Sequence, residues 1–141
     1  PQVMSGYWKS EDSGIDENKW FMTGDIARVD ETGNIFIVDR KKDMIIVSGF
    51  NVFPNEVEAV VNEHPAVLEC GCVGIKGENS QESVKVFIVL HEGQSLSEDE
   101  LISFCREKLT AYKVPKHVEF ISEIPKTNVG KVLRRELKAN S

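Results

Sequence analysis

Cysteine is scarce in this sequence, and the few cysteines exclude a disulfide scaffold. The chain of 141 residues has 3 cysteines, an odd number that cannot pair completely and that indicates a reducing compartment. Cys70 and Cys72 stand two apart in an apolar run, so a strand would place both on one face. No histidine or further cysteine lies nearby to complete a zinc site, and we expect no metal there. We interpret both as buried small hydrophobic residues.

Long hydrophobic runs are also missing. No stretch approaches the roughly 18 apolar residues that a membrane-spanning helix needs, and the first residues lack the features of a signal peptide. Pro1 and Gln2 instead indicate a break within a longer chain. We expect a cytoplasmic protein on these grounds.

A basic excess, which nucleic-acid binding requires, is absent as well. The net charge of −6 excludes nucleic acid as the general partner. The charge is uneven, because residues 1–39 are rich in acids whereas residues 122–141 carry five basic against two acidic side chains. The tail is therefore a local cationic patch, and a solvated helix face is the simpler interpretation of it.

The apolar and turn-forming residues present predict one small domain behind a hairpin. They indicate strands at 20–29, 34–38, 44–47, 67–75, 84–90 and 118–121, and helices beginning at 54, 98 and 131. Ser97 and Glu100 form a capping-box pattern before the second helix. Five consecutive charges at 39–43 are too polar for a core strand and mark a boundary. The order of elements predicts an α+β fold, with a mostly antiparallel sheet flanked by helices and preceded by a β-hairpin.

Two polar clusters carry residue types suited to nucleotide binding. Asp25 follows Thr23 and Gly24, where a carboxylate can accept hydrogen bonds from ribose hydroxyls or satisfy a turn amide. Arg40 lies in the charged run, and an arginine can donate to a sugar or a phosphate. Gly49 follows a strand, where a glycine allows close approach to the backbone. For Arg40 and Gly49 the alternative interpretation is a charged linker followed by an ordinary turn.

A third cluster places Lys131 directly after Gly130 in a short loop. The loop is not a phosphate-binding Walker A motif, because Pro125 stands where a glycine is needed and Val132 where serine or threonine is needed. A compact ammonium on such a loop could neutralise charge that develops on a carboxylate and an α-phosphate. Taken alone, the loop is better explained by an ordinary exposed lysine.

Five motifs occur in one order along the chain. They are Gly-Tyr-Trp at 6–8, Trp-Phe-Met-Thr-Gly-Asp at 20–25, Asp-Arg-Lys-Lys-Asp-Met-Ile-Ile at 39–46, Gly-Phe-Asn-Val-Phe-Pro-Asn-Glu-Val-Glu at 49–58 and Pro-Lys-Thr-Asn-Val-Gly-Lys-Val-Leu-Arg-Arg at 125–135. This succession resembles the C-terminal third of the adenylate-forming enzymes, which include acyl-CoA synthetases, luciferases and peptide-synthetase adenylation domains. The resemblance spans nearly the whole chain and is strongest to bacterial long-chain fatty-acid CoA ligases.

The resemblance implies roles for five residues within these motifs. Asp25 and Arg40 would bind the ribose of ATP and then of the acyl-adenylate. Lys42 would be the hinge about which the C-terminal domain turns. Gly49 would line the pantetheine tunnel of CoA when the thioester forms, and Lys131 would be the catalytic lysine of adenylation.

The resemblance also implies the reaction and the division of the chain. A fatty acid and ATP, with Mg²⁺, would give acyl-AMP and pyrophosphate, and CoA would then give acyl-CoA and AMP. Residues 1–40 would end the large N-terminal domain, and residues 41–141 would form a mobile lid that works against it. The phosphate loop and the acyl and adenine pockets of the family lie in the large domain, so we expect this chain alone to be inactive. Peripheral contact with the inner face of the membrane would give access to a lipid substrate.

Some positions depart from the family pattern, and other functions stay open. Ile46 stands where luciferase-type relatives have a second functional lysine, and Asn51 stands where some members have an arginine for the CoA nucleotide. Lys113 and Lys116 are candidates for the CoA phosphates on charge alone, with a solvated loop as the alternative. An adenylation domain that loads a carrier protein and a non-catalytic binding module are the competing functions. The oligomeric state is undetermined by the sequence.

Overall fold

The computed structural model describes residues 4–9, 14–77 and 81–139. Within them the chain forms a hairpin followed by a small α+β unit. The elements, in chain order, are β1 (Asp25–Val29), β2 (Ile35–Arg40), β3 (Ile45–Val47), β4 (Phe50–Val52), α1 (Pro54–Val61), β5 (Val67–Lys76), β6 (Glu82–Leu90), α2 (Glu98–Lys108), a 3₁₀ turn (Ala111–Lys113), β7 (His117–Phe120) and α3 (Arg134–Ala139). The predicted α+β fold with mostly antiparallel pairing is confirmed.

The sheet formed by β5, β6 and β7 is buried on both faces, as the alternation of side chains along its strands requires. One face packs against α1 and α2 and includes Cys70, Cys72, Val84, Val86 and Ile88. The other face forms a smaller cluster of Val73, Phe87, Val89, Ile124 and Leu137 under α3. The Leu137 side chain of α3 packs so close that a Cβ on Gly71 would stand 2.6 Å from Leu137 Cδ1. This packing therefore uses the space that a glycine leaves at this strand position.

The cysteines occupy the interior, as predicted. Cys70, Cys72 and Cys105 are all buried and unpaired. Burial raises the pKa of the Cys70 thiol to about 12 and that of Cys105 to about 11. These thiols therefore behave as packing residues rather than nucleophiles or metal ligands. Within the described residues there is no group of three or more histidine, cysteine or acidic side chains placed to hold a metal ion.

Helix α2 begins with the predicted capping box. The Glu100 N–H donates to Ser97 Oγ at 3.3 Å, and the Ser97 N–H donates to Glu100 Oε2 at 2.9 Å. The Glu100 carboxylate accepts from the Ser97 N–H and from the Ser97 hydroxyl, and these two hydrogen bonds lower the pKa of Glu100, the backbone one most of all. Two of the unpaired amides at the helix start are satisfied in this way.

Removing this cap should have a modest, measurable cost. Ser97→Ala is expected to lower the free energy of unfolding by about 1 kcal/mol, because the Glu100 amide loses its acceptor. Chemical denaturation of the chain measures this difference. Ser103→Ala, an exposed serine within the same helix, is the matched control and should be neutral or slightly stabilising. Equal effects of the two changes would contradict the role of the cap.

Two hairpins, β1–β2 and β3–β4, close through well-defined turns. In the first, the Asp30 carboxylate accepts hydrogen bonds from the side chains and backbone of Thr32 and Asn34, and these bonds lower the pKa of Asp30 to about 2. In the second, Ser48 and Gly49 both have positive φ, 50° and 85°, which is the two-residue turn that matches strand twist. Glycine relieves the strain at the second of these positions.

The structure corrects several details of the sequence interpretation. Strand β4 was not predicted, because residues 50–51 were assigned to the turn before them. The charged run does not exclude a core strand, since β2 continues through Asp39 and Arg40 and Asp39 is only 2% exposed. Strand β7 runs parallel to β6, and α3 begins at Arg134 rather than at 131. In the part of the chain described, no helix is long and apolar enough to cross a membrane.

Candidate functional site

A cleft of about 990 Å³ opens between the β1–β2 hairpin, the start of α1 and the segment leading into α3. Four residues singled out in the sequence contribute to its wall: Asp25, Arg40, Lys42 and Lys131. The remaining lining residues are Ile37, Asp39, Asp43, Asn55, Glu58, Thr127, Val132, Leu133, Arg134, Arg135 and Lys138. The wall is thus rich in cations, with acidic groups among them, which suits a phosphorylated ligand that also carries hydroxyls.

Asp25 and Arg40 face each other on the hairpin because β1 and β2 pair these two positions. Arg40 Nε donates to Asp25 Oδ1 at 3.0 Å, and the arginine side chain is more than half exposed. The Asp25 N–H donates to Thr23 Oγ1 at 3.1 Å, which fixes the turn before the strand. The two predicted ribose ligands therefore form one unit at the edge of the cleft.

The chain turns sharply after β2, at the predicted hinge. The Lys41 N–H donates to the Gly24 carbonyl at 2.8 Å, and the Asp43 N–H donates to the Arg40 carbonyl at 3.0 Å. Lys42 lies between these two bonds and is exposed. A turn with a solvated centre and few packed side chains is where a change of backbone direction costs least.

The loop that carries Lys131 is shaped by its own hydrogen bonds. The Lys131 N–H donates to Thr127 Oγ1 at 3.1 Å, and the Thr127 N–H donates to the Lys131 carbonyl at 2.8 Å. Gly130 has φ 79°, which permits the tight reversal between them. An isolated antiparallel bridge between Lys126 and Val132 closes the base. Lys131 is exposed and lines the cleft.

Sequence reasoning missed a buried ionic network beside this loop. Arg134 and Glu58 pair at 3.2 Å (Nε to Oε1) and 2.7 Å (Nη2 to Oε2), and their side chains are only 15% and 14% exposed. Arg134 Nη2 also donates to Asn55 Oδ1 at 2.7 Å. The Cys72 N–H donates to Glu58 Oε1 at 2.8 Å. The only signal in the sequence was the Arg134-Arg135 pair that ends the motif at 125–135, which does not reveal a partner.

The charges of this pair follow from its surroundings. Burial acts to lower the pKa of Arg134, but the carboxylates of Glu58, Asp39 and Asp43 together outweigh it, and the pKa is raised above its ordinary value. Burial raises the pKa of Glu58, while the Cys72 N–H and Arg134 oppose that rise. Every buried polar side-chain atom among the described residues has a hydrogen-bond partner. The network is therefore satisfied, as a buried ion pair must be to persist.

Asp39 has an equally definite role beside the cleft. Its carboxylate accepts hydrogen bonds from the Arg40 N–H at 2.8 Å and, through Oδ2, from the Asn55 N–H at 3.0 Å. Helix α1 has no side-chain cap of its own, because Phe53 occupies the capping position. Asp39 therefore caps the helix from a distant strand, with a negative charge at the positive end of the helix dipole.

The remaining predicted residues lie outside the cleft lining. Gly49 is at the tip of the β3–β4 hairpin, with open space where a Cβ would stand. The next residue, Phe50, stacks on Tyr112 with ring centroids 4.6 Å apart. Lys113 Nζ lies 2.6 Å from Glu56 Oε1, whereas the Lys116 side chain is exposed. The assignment of these lysines to CoA phosphates stays a prediction.

Comparison with known proteins places this geometry in a family. Residues 56–131 match the family model described as the AMP-binding enzyme C-terminal domain. The chain belongs to this family of AMP-binding enzyme C-terminal domains. The matched range contains the Arg134 partner Glu58 at one end and Lys131 at the other.

Similar proteins agree with this placement. The long-chain-fatty-acid–CoA ligase of Escherichia coli O157:H7 is 58% identical over 140 residues, which are 98% of this chain and 25% of that protein. ATP-bound MatB from Rhodopseudomonas palustris superposes with a TM-score of 0.91 at 30% identity, over 98% of this chain and 28% of that one. MenE, the o-succinylbenzoate CoA synthetase of Bacillus subtilis, in complex with its acyl-adenylate, superposes with a TM-score of 0.86 at 35% identity. The match covers 96% of this chain and 28% of that one. The chain thus spans about a quarter of the length of such relatives.

Proposed function

We propose that this chain is the C-terminal part of an AMP-forming long-chain fatty-acid CoA ligase, here called the parent. The carboxylate oxygen of the acid attacks the α-phosphorus of ATP, and the bond to pyrophosphate breaks. The sulfur of CoA then attacks the acyl carbon of the adenylate, and AMP leaves. The observation that carries this proposal is the single cleft that Asp25, Arg40, Lys42 and Lys131 share, although they are far apart in the sequence.

Asp25 and Arg40 act together on the ribose. A carboxylate offers about four lone-pair positions. Asp25 therefore accepts from Arg40 Nε and, with its remaining capacity, from vicinal ribose hydroxyls. The arginine side chain, more than half exposed, has further N–H groups for the sugar. The pair binds nucleotide in both half-reactions, because the ribose is present in ATP and in the adenylate.

Lys131 acts in the first half-reaction alone. Its ammonium approaches the attacking carboxylate and the α-phosphate, where negative charge accumulates as the bond to pyrophosphate breaks. The hydrogen-bonded loop holds the lysine backbone in place before substrate arrives, so little ordering is needed at the moment of reaction. Mg²⁺ enters as part of the Mg·ATP substrate.

The second half-reaction needs a turn of the lid about Lys42. We place residues 1–40 with the large N-terminal domain and residues 41–141 in the lid. Besides the backbone bonds made by the hinge residues 41, 43 and 44, two hydrogen bonds among the described residues cross this division, from the Asn55 N–H to Asp39 Oδ2 and from Asn55 Nδ2 to the Val38 carbonyl, both at 3.0 Å. Their loss costs about 1–3 kcal/mol each, which a rotation driven by substrate exchange can offset. The turn withdraws Lys131 and brings Gly49 toward the pantetheine arm of CoA.

The partners follow from this assignment. The chain works against its own N-terminal domain and, through it, on a fatty acid, ATP and CoA. The relatives named as long-chain-fatty-acid–CoA ligases support the choice of acid. A cytoplasmic location, with peripheral contact at the inner face of the membrane to collect the lipid, is part of the proposal.

The proposal is tested by comparing the parent with the isolated chain. With Mg·ATP, CoA and a long-chain fatty acid, the purified parent should release pyrophosphate and form acyl-CoA. The isolated 141-residue chain should release none, because the phosphate and acyl pockets are absent from it. An amino acid series replaces the fatty acid as the control. Turnover by the chain alone, or activity of the parent with amino acids only, would contradict the proposal.

A further inference from the structure

Arg134 is the feature of the cleft for which the proposed reaction gives no role. It lies three residues after Lys131, at the first position of α3, and is one of the residues that line the cleft. The fork of two hydrogen bonds to Glu58 fixes the orientation of the guanidinium plane. A solvated arginine would have no such fixed direction.

Glu58 is itself held from two sides. It belongs to α1, and its Oε1 accepts the Cys72 N–H from the outer edge of β5 at 2.8 Å. The ion pair therefore joins α1, β5 and α3 at one point. Breaking it would leave a buried charge without its partner, which is far more costly than losing a surface pair.

The other supports of the Lys131 segment are less directional. Val132 and Leu137 pack on the sheet, and apolar contact sets depth but not direction. The Leu133 N–H donates to the Pro125 carbonyl at 2.8 Å, which holds the two arms of the loop to each other. Neither contact ties the loop to the helix that borders the cleft. The Arg134 fork does.

The same arginine connects the lysine with the ribose pair. Arg134 Nη2 donates to Asn55 Oδ1 at 2.7 Å. Asn55 in turn donates to Asp39 and to the Val38 carbonyl on β2, directly before Arg40. A continuous series of short contacts thus runs from the ribose site to the loop of the catalytic lysine.

We propose that Arg134 is a positioning residue for Lys131. The Arg134–Glu58 pair, extended through Asn55, sets the lysine loop at a fixed position relative to Asp25 and Arg40, so that the ammonium meets the α-phosphate of a bound nucleotide. The inference rests on the proposed function. It adds that the conformation of the lid described here depends on Arg134. Of the two half-reactions, only the first therefore requires this residue.

The test separates the two half-reactions in the parent. Arg134→Ala should lower the kcat of acid-dependent ATP–pyrophosphate exchange by about 10²-fold, the effect expected for a displacement of about 1 Å. The KM for ATP should change little, because the lysine acts mainly in the transition state. Thioester formation from preformed acyl-AMP and CoA should keep its wild-type rate. Arg134→Lys should be intermediate, since an ammonium cannot reproduce the fork.

A second variant keeps the proposal testable if Arg134→Ala fails to fold. Glu58→Gln keeps an acceptor for the Cys72 N–H but removes the charge that Arg134 needs, and it should give the same split between half-reactions. The double variant should be no worse than either single one, because both remove the same contact. Arg106→Ala, an exposed arginine in α2, is the matched control and should leave both half-reactions unchanged.

The outcomes distinguish the two levels of the proposal. A wild-type parent that forms neither adenylate nor thioester overturns the proposed function itself. An active parent in which Arg134→Ala leaves exchange unchanged overturns the positioning role alone. Equal loss of both half-reactions, with a lowered Tm, likewise overturns it, because the pair would then be a general support of the fold.

Discussion

Replacing Lys131 with alanine in the parent should lower fatty-acid-dependent adenylation by about 10²–10³-fold. That is the range for losing one preorganised group that stabilises charge in a transition state. The lysine is exposed on a loop whose backbone is fixed by Thr127, so its removal takes away the ammonium and little packing. The reduction should therefore occur in kcat and not in the stability of the lid.

The measurement is pyrophosphate exchange, set against thioester formation from preformed acyl-AMP. The second reaction should be retained, because Gly49 and not Lys131 faces the thioester step in the proposed rotation. Lys126→Ala is the matched control, since that ammonium lies in the same segment but pairs with Glu69 and is not part of the cleft wall. Unchanged exchange in Lys131→Ala would exclude the lysine from adenylation and favour a non-catalytic module.

Local sequence signals predicted the elements that depend on local interactions. The capping box at Ser97 specifies the start of α2 by itself, and the turn around Asp30 specifies the first hairpin. The ordered motifs also selected Asp25, Arg40, Lys42 and Lys131, which the fold then places on one cleft. Motifs identify such residues because their chemistry is tied to a residue type at a fixed spacing. Their roles stay predictions until substrate kinetics are measured.

Features that depend on partners distant in the chain could not be predicted from the sequence. Asp39 belongs to a run of five charges that predicts a boundary and not a core strand, but it is buried, and its carboxylate caps α1. The partner of Arg134 is Glu58, on a helix 76 positions earlier, and no spacing rule connects them. The parallel direction of β7 likewise follows from how its connection packs on the sheet rather than from its four residues.

Phe87→Ala should destabilise the chain by about 3–5 kcal/mol, the largest stability effect that we predict. The ring is 1% exposed and fills the smaller cluster beneath α3, against Ile124 and Leu137 on either side of the Lys131 loop. Chemical denaturation should show a lower midpoint with an unchanged slope, because the same surface unfolds. Phe120→Ala, a partly exposed phenylalanine on the same sheet, is the control and should cost clearly less.

The distribution of the lost stability along the chain tests how the Lys131 loop is held in place. Strand β6 carries Phe87 on one face and Val86 on the other, so both clusters share one backbone. If they unfold as one unit, Phe87→Ala should accelerate amide exchange in α1 and α2 as much as in α3. Faster exchange in α3 alone would contradict this and make the loop a separately stable segment. The Arg134–Glu58 pair, which crosses from α3 to α1, favours the single unit.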